Sequence, residues 1–287
     1  MMVAAIPLRG DAAVAASALW RRVASALVLI PVVVWLTTFA PAALFHALVI
    51  PMAAAAAWEL GRMFERAGRA THRWLDPLLT ALVVASFLLP GDRSGLPDGP
   101  VAALTVAILI TLGVPLWRAT PSTEATTTTL LALTYVGVLM GHAILLRELP
   151  HGGSLVLLLL AVTWAGESAA YFVGSAVGRH KLAPVVSPNK TREGAVAQVV
   201  ASVVAMLVLR TWLAPEWSAA LAIGAGIVLG CVGQIGDLAE SVIKRSLNTK
   251  DTGGLIPGHG GVLDRLDSLL FNVPAFYYLV MLEGGRG

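Results

Sequence analysis

Runs of about twenty consecutive apolar residues recur along this chain, and no other feature constrains its fold as strongly. A run of that length lets an α-helix cross about 30 Å of hydrocarbon, where every backbone N–H and C=O must be satisfied internally. Such windows can be placed about nine times, near 24–40, 42–60, 75–90, 101–117, 128–146, 154–178, 195–213, 219–237 and 266–283. The third is short and flanked by proline, and the boundary at 41–42 rests on Pro41. Composition agrees: 57% of the 287 residues are hydrophobic and 13% are charged, where soluble domains hold roughly 45–50% and about 25%. The expected fold class is an all-α polytopic membrane protein of about nine transmembrane helices, with a polar site that faces the cytoplasm.

Other bulk properties narrow the function. A formal net charge of +3 is too small to argue for nucleic acid, and it fits a protein lying against anionic headgroups only weakly. The single cysteine, Cys231, permits no internal disulfide and reads as packing. The N-terminus lacks a cleavable signal pattern, and its first apolar run follows Arg21 and Arg22 as an uncleaved span. With nine spans and a cytoplasmic N-terminus, sixteen of the 20 Lys and Arg residues fall inside; setting aside eight in the polar motifs leaves eight against four. The positive-inside rule favours this orientation, which puts loops 179–194 and 238–265 in the cytoplasm. The Ala53–Ala57 and Thr126–Thr129 tracts read as filler in or beside helices.

Charge is concentrated in two blocks. In the first, Gln234 to Ser268, residues Asp237, Glu240, Ser241, Lys244 and Asn248 recur with helical spacing and make one face polar. Five glycines from Gly253 to Gly261, with Pro257 among them, then break any helix. Asp264, Asp267 and Ser268 open the next helix, so two helix ends present carboxylates across a basic, glycine-rich loop. Hard oxygen ligands with Lys, Arg and backbone N–H groups suit a divalent cation and a polyphosphate. By composition alone, a solvated loop between helices with capping aspartates reads equally well.

The second block runs from Trp164 to Gly194. Glu167 and Tyr171 share a face inside an apolar span, and a carboxylate there marks a functional site or a hydrogen bond to a neighbouring helix. Gly174 and Gly178 form a Gly-x-x-x-Gly pair, a pattern of close helix packing. Ser187 followed by Pro188 reads as a helix N-cap with proline at the first helical position, beside Lys190, Thr191 and Arg192. Such a helix start holds anions well. His142 and His151 lie away from both blocks, and Glu59, near the cytoplasmic end of the second window, either joins the site or snorkels to the interface.

The string Ser241-x-x-Lys244-Arg245-x4-Lys250-Asp251-x-Gly253-x2-Ile256-Pro257-x-His259-Gly260-Gly261-x2-Asp264-Arg265-x-Asp267 resembles the signature of the phosphatidate cytidylyltransferases, the CDP-diacylglycerol synthases. Ser187-Pro188-Asn189-Lys190-Thr191-Arg192-Glu193-Gly194 resembles a second block of that family, in the same order. The likeness covers roughly 164–283, with weaker similarity around Trp58 and Glu59. One departure stands out: Glu167 occupies a position where the family usually carries Asp in an Asp-Thr-x-Ala-Tyr context.

The resemblance implies transfer of CMP from CTP to phosphatidate held in the bilayer, with release of pyrophosphate. It places metal ligation on Asp237 and Asp264, with Mg²⁺ as cofactor and room for a second, monovalent cation such as K⁺. Lys244, Arg245, Lys250 and Arg265 are expected to contact phosphates, with Asp251, His259 and Asp267 completing the catalytic set. Ser187, Lys190, Thr191 and Glu193 are expected to hold the nucleotide, and Glu167, Ser241, Gly260 and Gly261 to bind substrate. It further implies a homodimer in a bacterial inner membrane. The organisation expected is a region of about five N-terminal spans, 1–150, before a catalytic transmembrane region, 151–287. Two rivals share the polar equipment: a CTP-dependent lipid kinase acting on an isoprenoid alcohol, and a transporter with charges near the midplane. The full signature argues against the first; the absence of an internal repeat argues against the second.

Overall fold

The computed structural model describes residues 31–89, 98–117, 122–255 and 260–284. In chain order its helices are α1 (Ala42–Arg66), α2 (Leu75–Ser86), α3 (Asp98–Gly113), α4 (Thr123–Glu148), α5 (Gly152–Val177), α6 (Arg192–Leu213), α7 (Ala219–Ser246) and α8 (Asp267–Gly284). Residues 31–38 are also helical. Among the described residues six helices are long and apolar enough to cross a bilayer: α1, α3 extended by the 3₁₀ turn Val114–Trp117, α4, α5, α6 and α7. This is an integral membrane protein built almost wholly of helices.

Six is fewer than the nine windows placed from sequence. The window at 24–40 lies partly outside the described residues, which take in only 31–40 of it. The window at 75–90 forms α2, whose 12 residues reach about 18 Å at 1.5 Å per residue, well short of the hydrocarbon thickness. The last window forms α8, which carries Asp267, Asn272, Pro274 and Glu283 in 18 residues and is not among the six. It packs along α7, α4 and α5 instead.

The two tracts read as filler prove to be structural. Ala53, Ala56 and Ala57 are fully buried, small enough for α1 to approach α2 and the middle of α4 closely. Thr129 is buried too, and its hydroxyl donates to Asp76 Oδ1 at 2.6 Å, tying α4 to α2. The middle of α4, Ala132–Val138, is wound as a π-helix, a local rewinding frequent at functional sites. Its Tyr135 is buried against the ring of Phe271 in α8.

The connection from α5 to α6 departs from an all-helical reading. Lys181–Ala183 (β1) and Ser187–Thr191 (β2) form an antiparallel hairpin, with Lys181 opposite Thr191 and Ala183 opposite Ser187. Ser187 is therefore not a helix cap. The N-cap of α6 is Thr191, whose Oγ1 accepts from the Gly194 N–H at 3.1 Å. Strand pairing wins because Arg192 N–H donates to the His180 carbonyl at 2.8 Å, closing the hairpin base. Pro188 removes one donor, which a two-stranded sheet with open edges tolerates. At the other polar block α7 stops at Ser246, and Asn248 takes φ 53° just beyond it. Asn suits that left-handed position after a helix, so Asn248 leaves the polar face it was expected to extend.

Candidate active site

A cavity of about 550 Å³ lies between α5, α6, α7 and the hairpin, within the range of small-ligand sites. Glu167 and Tyr171 come from α5, Lys181, Asn189 and Lys190 from the hairpin, Gln198 from α6, and Gln234 with Asp237 from α7. Gly174, Gly178 and Gly194 also line it, and they let the elements meet. A Cβ at Gly178 would lie 2.6 Å from the Thr191 side chain, and one at Gly194 would lie 2.8 Å from the Ala170 carbonyl. The Gly-x-x-x-Gly pair thus serves close packing and, by doing so, shapes the cavity wall.

Asp237 sits nine residues inside α7 rather than at its end. Its Oδ2 lies 2.5 Å from Lys190 Nζ, an ion pair between α7 and β2 with both side chains largely shielded. Glu167 faces the same charges: it accepts a hydrogen bond from Ser268 at the start of α8 and feels Asp237, Lys190 and Arg265. Asp267 is near Asp237 and Glu167 as well. Lys190 from the hairpin and Arg265 from the turn before α8 therefore meet carboxylates from three helices.

Asp264 belongs to an adjoining cluster. It lies in the 3₁₀ turn Leu263–Arg265 that precedes α8, which itself begins only at Asp267. Lys244 Nζ donates to Asp264 Oδ1 at 2.9 Å and to Glu240 Oε1 at 2.8 Å. Asp264 Oδ2 accepts from Thr252 N–H (3.1 Å), Thr252 Oγ1 (2.8 Å) and Gly261 N–H (3.2 Å). Burial disfavours the Asp264 charge, but Lys244 and both Thr252 donors outweigh it and hold the carboxyl below its ordinary range. Asp264 is thus ionised at neutral pH. Glu240 and Ser241 are buried in the same face of α7, Glu240 completely.

The remaining expected residues are placed variously. Arg245 donates to the Val186 carbonyl at 3.1 Å and to the Thr249 carbonyl at 3.2 Å, so it braces the hairpin turn against the end of α7. Glu193 accepts from His180, N–H at 3.2 Å and ring Nδ1 at 2.6 Å, and does not line the cavity. Ser187 pairs within the hairpin, away from the cavity lining. Lys250, Asp251 and Arg265 are exposed. Gly260 takes φ 84°, a conformation that favours glycine. His259 lies outside the described residues. Among the described residues no three His, Cys, Asp or Glu side chains converge closely enough to hold a metal ion by themselves.

Several residues escaped the sequence reading. Lys181 and Asn189 reach the cavity only because the hairpin forms. Gln198 and Gln234 are amides inside apolar helices, a signal that could have singled them out. Thr252 is an unspecified position of the signature, yet it is fully buried and donates twice to Asp264. Glu59 on α1, which by sequence either joined the site or snorkelled, does not snorkel: it is fully buried and accepts from Leu263 N–H at 2.9 Å, across 204 positions of sequence.

The model of the cytidylyltransferase family matches residues 20–282, nearly the whole chain and both clusters. The chain belongs to that family. It is 34% identical over 244 residues to a phosphatidate cytidylyltransferase of Bacillus subtilis (strain 168), covering 83% of this chain and 89% of the relative. It is 38% identical over 152 residues to a phosphatidate cytidylyltransferase of Staphylococcus saprophyticus, covering 53% of this chain and 58% of that protein. An Escherichia coli (strain K12) relative, the uncharacterized protein YnbB, is 43% identical over 146 residues, 49% of each chain.

Proposed function

We propose that this protein transfers CMP from CTP to phosphatidate, giving CDP-diacylglycerol and pyrophosphate for phospholipid synthesis. Family membership and the match to the Bacillus subtilis relative over most of both chains support the substrate pair. On the structural side one observation carries the reading. Lys190 on Asp237 and Lys244 on Asp264 form two adjoining charge clusters beside a cavity enclosed by apolar helices. A lipid phosphate can reach such a site while its acyl chains stay in the bilayer.

A phosphate oxygen of phosphatidate is anionic at neutral pH and attacks the α-phosphorus of CTP without a strong base. The new P–O bond forms as the bond from that phosphorus to the bridging oxygen breaks, and pyrophosphate leaves with the oxygen. The obstacle is the approach of two anions, which positioned cations lower by orienting the reactants and offsetting charge. Lys190, paired with Asp237, and Lys244, paired with Asp264, supply that charge, with Lys181 at the cavity wall. Arg245 keeps the hairpin, and so Lys190, in register with α7.

Mg²⁺ suits this donor set. It takes hard oxygen ligands and is commonly held by one or two carboxylates plus substrate phosphates, so three converging side chains are not required. Asp237 and Asp264 would hold it, each carboxylate being already balanced by a lysine. Bound there, Mg²⁺ would neutralise phosphate charge and ease departure of pyrophosphate. A second, monovalent cation such as K⁺ would draw on the same oxygens. The site is taken to face the cytoplasm of a bacterial inner membrane, and the working unit to be a homodimer.

The test uses purified protein with phosphatidate in mixed micelles. CDP-diacylglycerol and pyrophosphate should appear in equal amounts, dependent on CTP and divalent cation. Phosphorylation of an isoprenoid alcohol without pyrophosphate release would overturn the reading in favour of a lipid kinase.

A further inference from the structure

Glu59 is the one fully buried carboxylate of α1 that touches the glycine-rich loop. Its Oε2 accepts from Leu263 N–H at 2.9 Å and lies 3.4 Å from Thr252 Oγ1. The Leu255 N–H is directed at the same carboxylate, although Oε1 closes no hydrogen bond. Backbone N–H groups from both flanks of the loop, Leu255 and Leu263, therefore converge on one carboxylate. The backbone is shaped to it. A Cβ at Gly253 would lie 2.5 Å from Glu59 Oε1, and one at Gly261 would lie 2.6 Å from Oε2. These two signature glycines leave the space that the carboxylate fills.

Thr252 links this clasp to the chemistry. The hydroxyl that lies beside Glu59 donates to Asp264 Oδ2 at 2.8 Å, and the same residue's N–H donates there at 3.1 Å. Asp264 in turn receives Lys244 on its other oxygen. A buried carboxylate is costly unless it is paired or well hydrogen-bonded, and no cation within the described residues pairs with Glu59. Helix packing alone does not call for such a group.

We propose that Glu59 is a positioning residue, a clasp that joins the two flanks of the loop and through Thr252 fixes where Asp264 and Lys244 stand. The inference rests on the reaction proposed above for its activity readout only. A carboxylate is required because an amide of the same shape would turn an NH₂ group toward donors on one flank. Displacement of the Asp264–Lys244 pair by a fraction of an ångström is then enough to slow the reaction.

The experiment compares wild type, Glu59→Gln, Thr252→Val and the double variant in detergent. Glu59→Gln should keep its thermal midpoint within a few degrees yet lose kcat by about 10²-fold, with KM for CTP changed far less. Thr252→Val should lose about 10-fold, and the double variant should be no worse than Glu59→Gln, since both act along one path. Independently of activity, amide exchange at Thr252 and Leu263 should speed up by about 10-fold or more in Glu59→Gln, while that of α7 holds. Multiplying losses in the double variant, unchanged kcat, or unchanged exchange at the loop flanks would each overturn the proposal. Should wild type make no CDP-diacylglycerol, the reaction assignment fails, and the exchange measurement still decides the clasp.

Discussion

Lys244→Met separates charge balance from chemistry in the second cluster. Lys244 bridges Glu240 and Asp264, and the three side chains are 13%, 0% and 14% exposed. Met keeps the apolar stem and removes the cation. Asp264 retains three donors on Oδ2, so its loss is partial. Glu240 is different: Lys244 supplies its hydrogen bond, and Oε2 has no partner. Removing one member of a buried pair costs about 3–5 kcal/mol, because the remaining charge is left without compensation. At roughly 2–4 °C per kcal/mol for a domain of 150–250 residues, the thermal midpoint in detergent should fall by on the order of 10 °C. The double variant Lys244→Met/Glu240→Gln removes that stranded charge and should recover most of the midpoint. It should not recover turnover, because the cation of the second cluster no longer faces the phosphates. Thermal unfolding followed by intrinsic tryptophan fluorescence, beside initial rates at saturating CTP, reads both quantities. A double variant as unstable as Lys244→Met would refute the stranded-carboxylate argument. One that regains near-normal turnover would refute the role of Lys244 at the phosphates.

Two further outcomes bear on the first cluster and on topology. Glu167 lines the cavity with Asp237 and also accepts from Ser268; if its charge matters, Glu167→Asp should keep substantial activity while Glu167→Gln loses about 10²-fold, as for a group that orients a metal ligand. A role confined to the Ser268 hydrogen bond predicts the reverse order in the same initial-rate assay, since Gln retains the acceptor and Asp falls short. For topology, Cys231→Ala with a single Cys at Asn189 or Thr249 should be labelled by an impermeant thiol reagent from the cytoplasmic side; labelling from the outer side alone would overturn the orientation and the access of CTP with it.

Hydropathy and residue order made much of this protein legible before any coordinates. Apolar runs of spanning length declare membrane helices because the bilayer imposes a local rule on each segment. The ordered signature from Ser241 to Asp267 declared the chemistry, because reactive groups were written at characteristic spacings. Gly174 and Gly178 likewise announced a close approach, and the structure puts Thr191 and Gly194 against them. What could not be read locally was pairing. Whether Ser187–Thr191 capped a helix or formed a strand depended on Lys181–Ala183 lying opposite it. A basic residue in a phosphate motif does not reveal its neighbours, and Arg245 turns to Val186 and Thr249. Asp237 and Asp264, read as one pair, stand in two clusters because α7 continues nine residues past Asp237 before the chain turns. Glu59 shows the limit most clearly: its partners lie about 200 residues away, and neither periodicity nor composition carries distances between helices. Sequence alone determined the solvent each segment must satisfy and the groups available for chemistry. Only tertiary packing decided which donor meets which buried carboxylate, because that depends on where remote helices come to rest against one another.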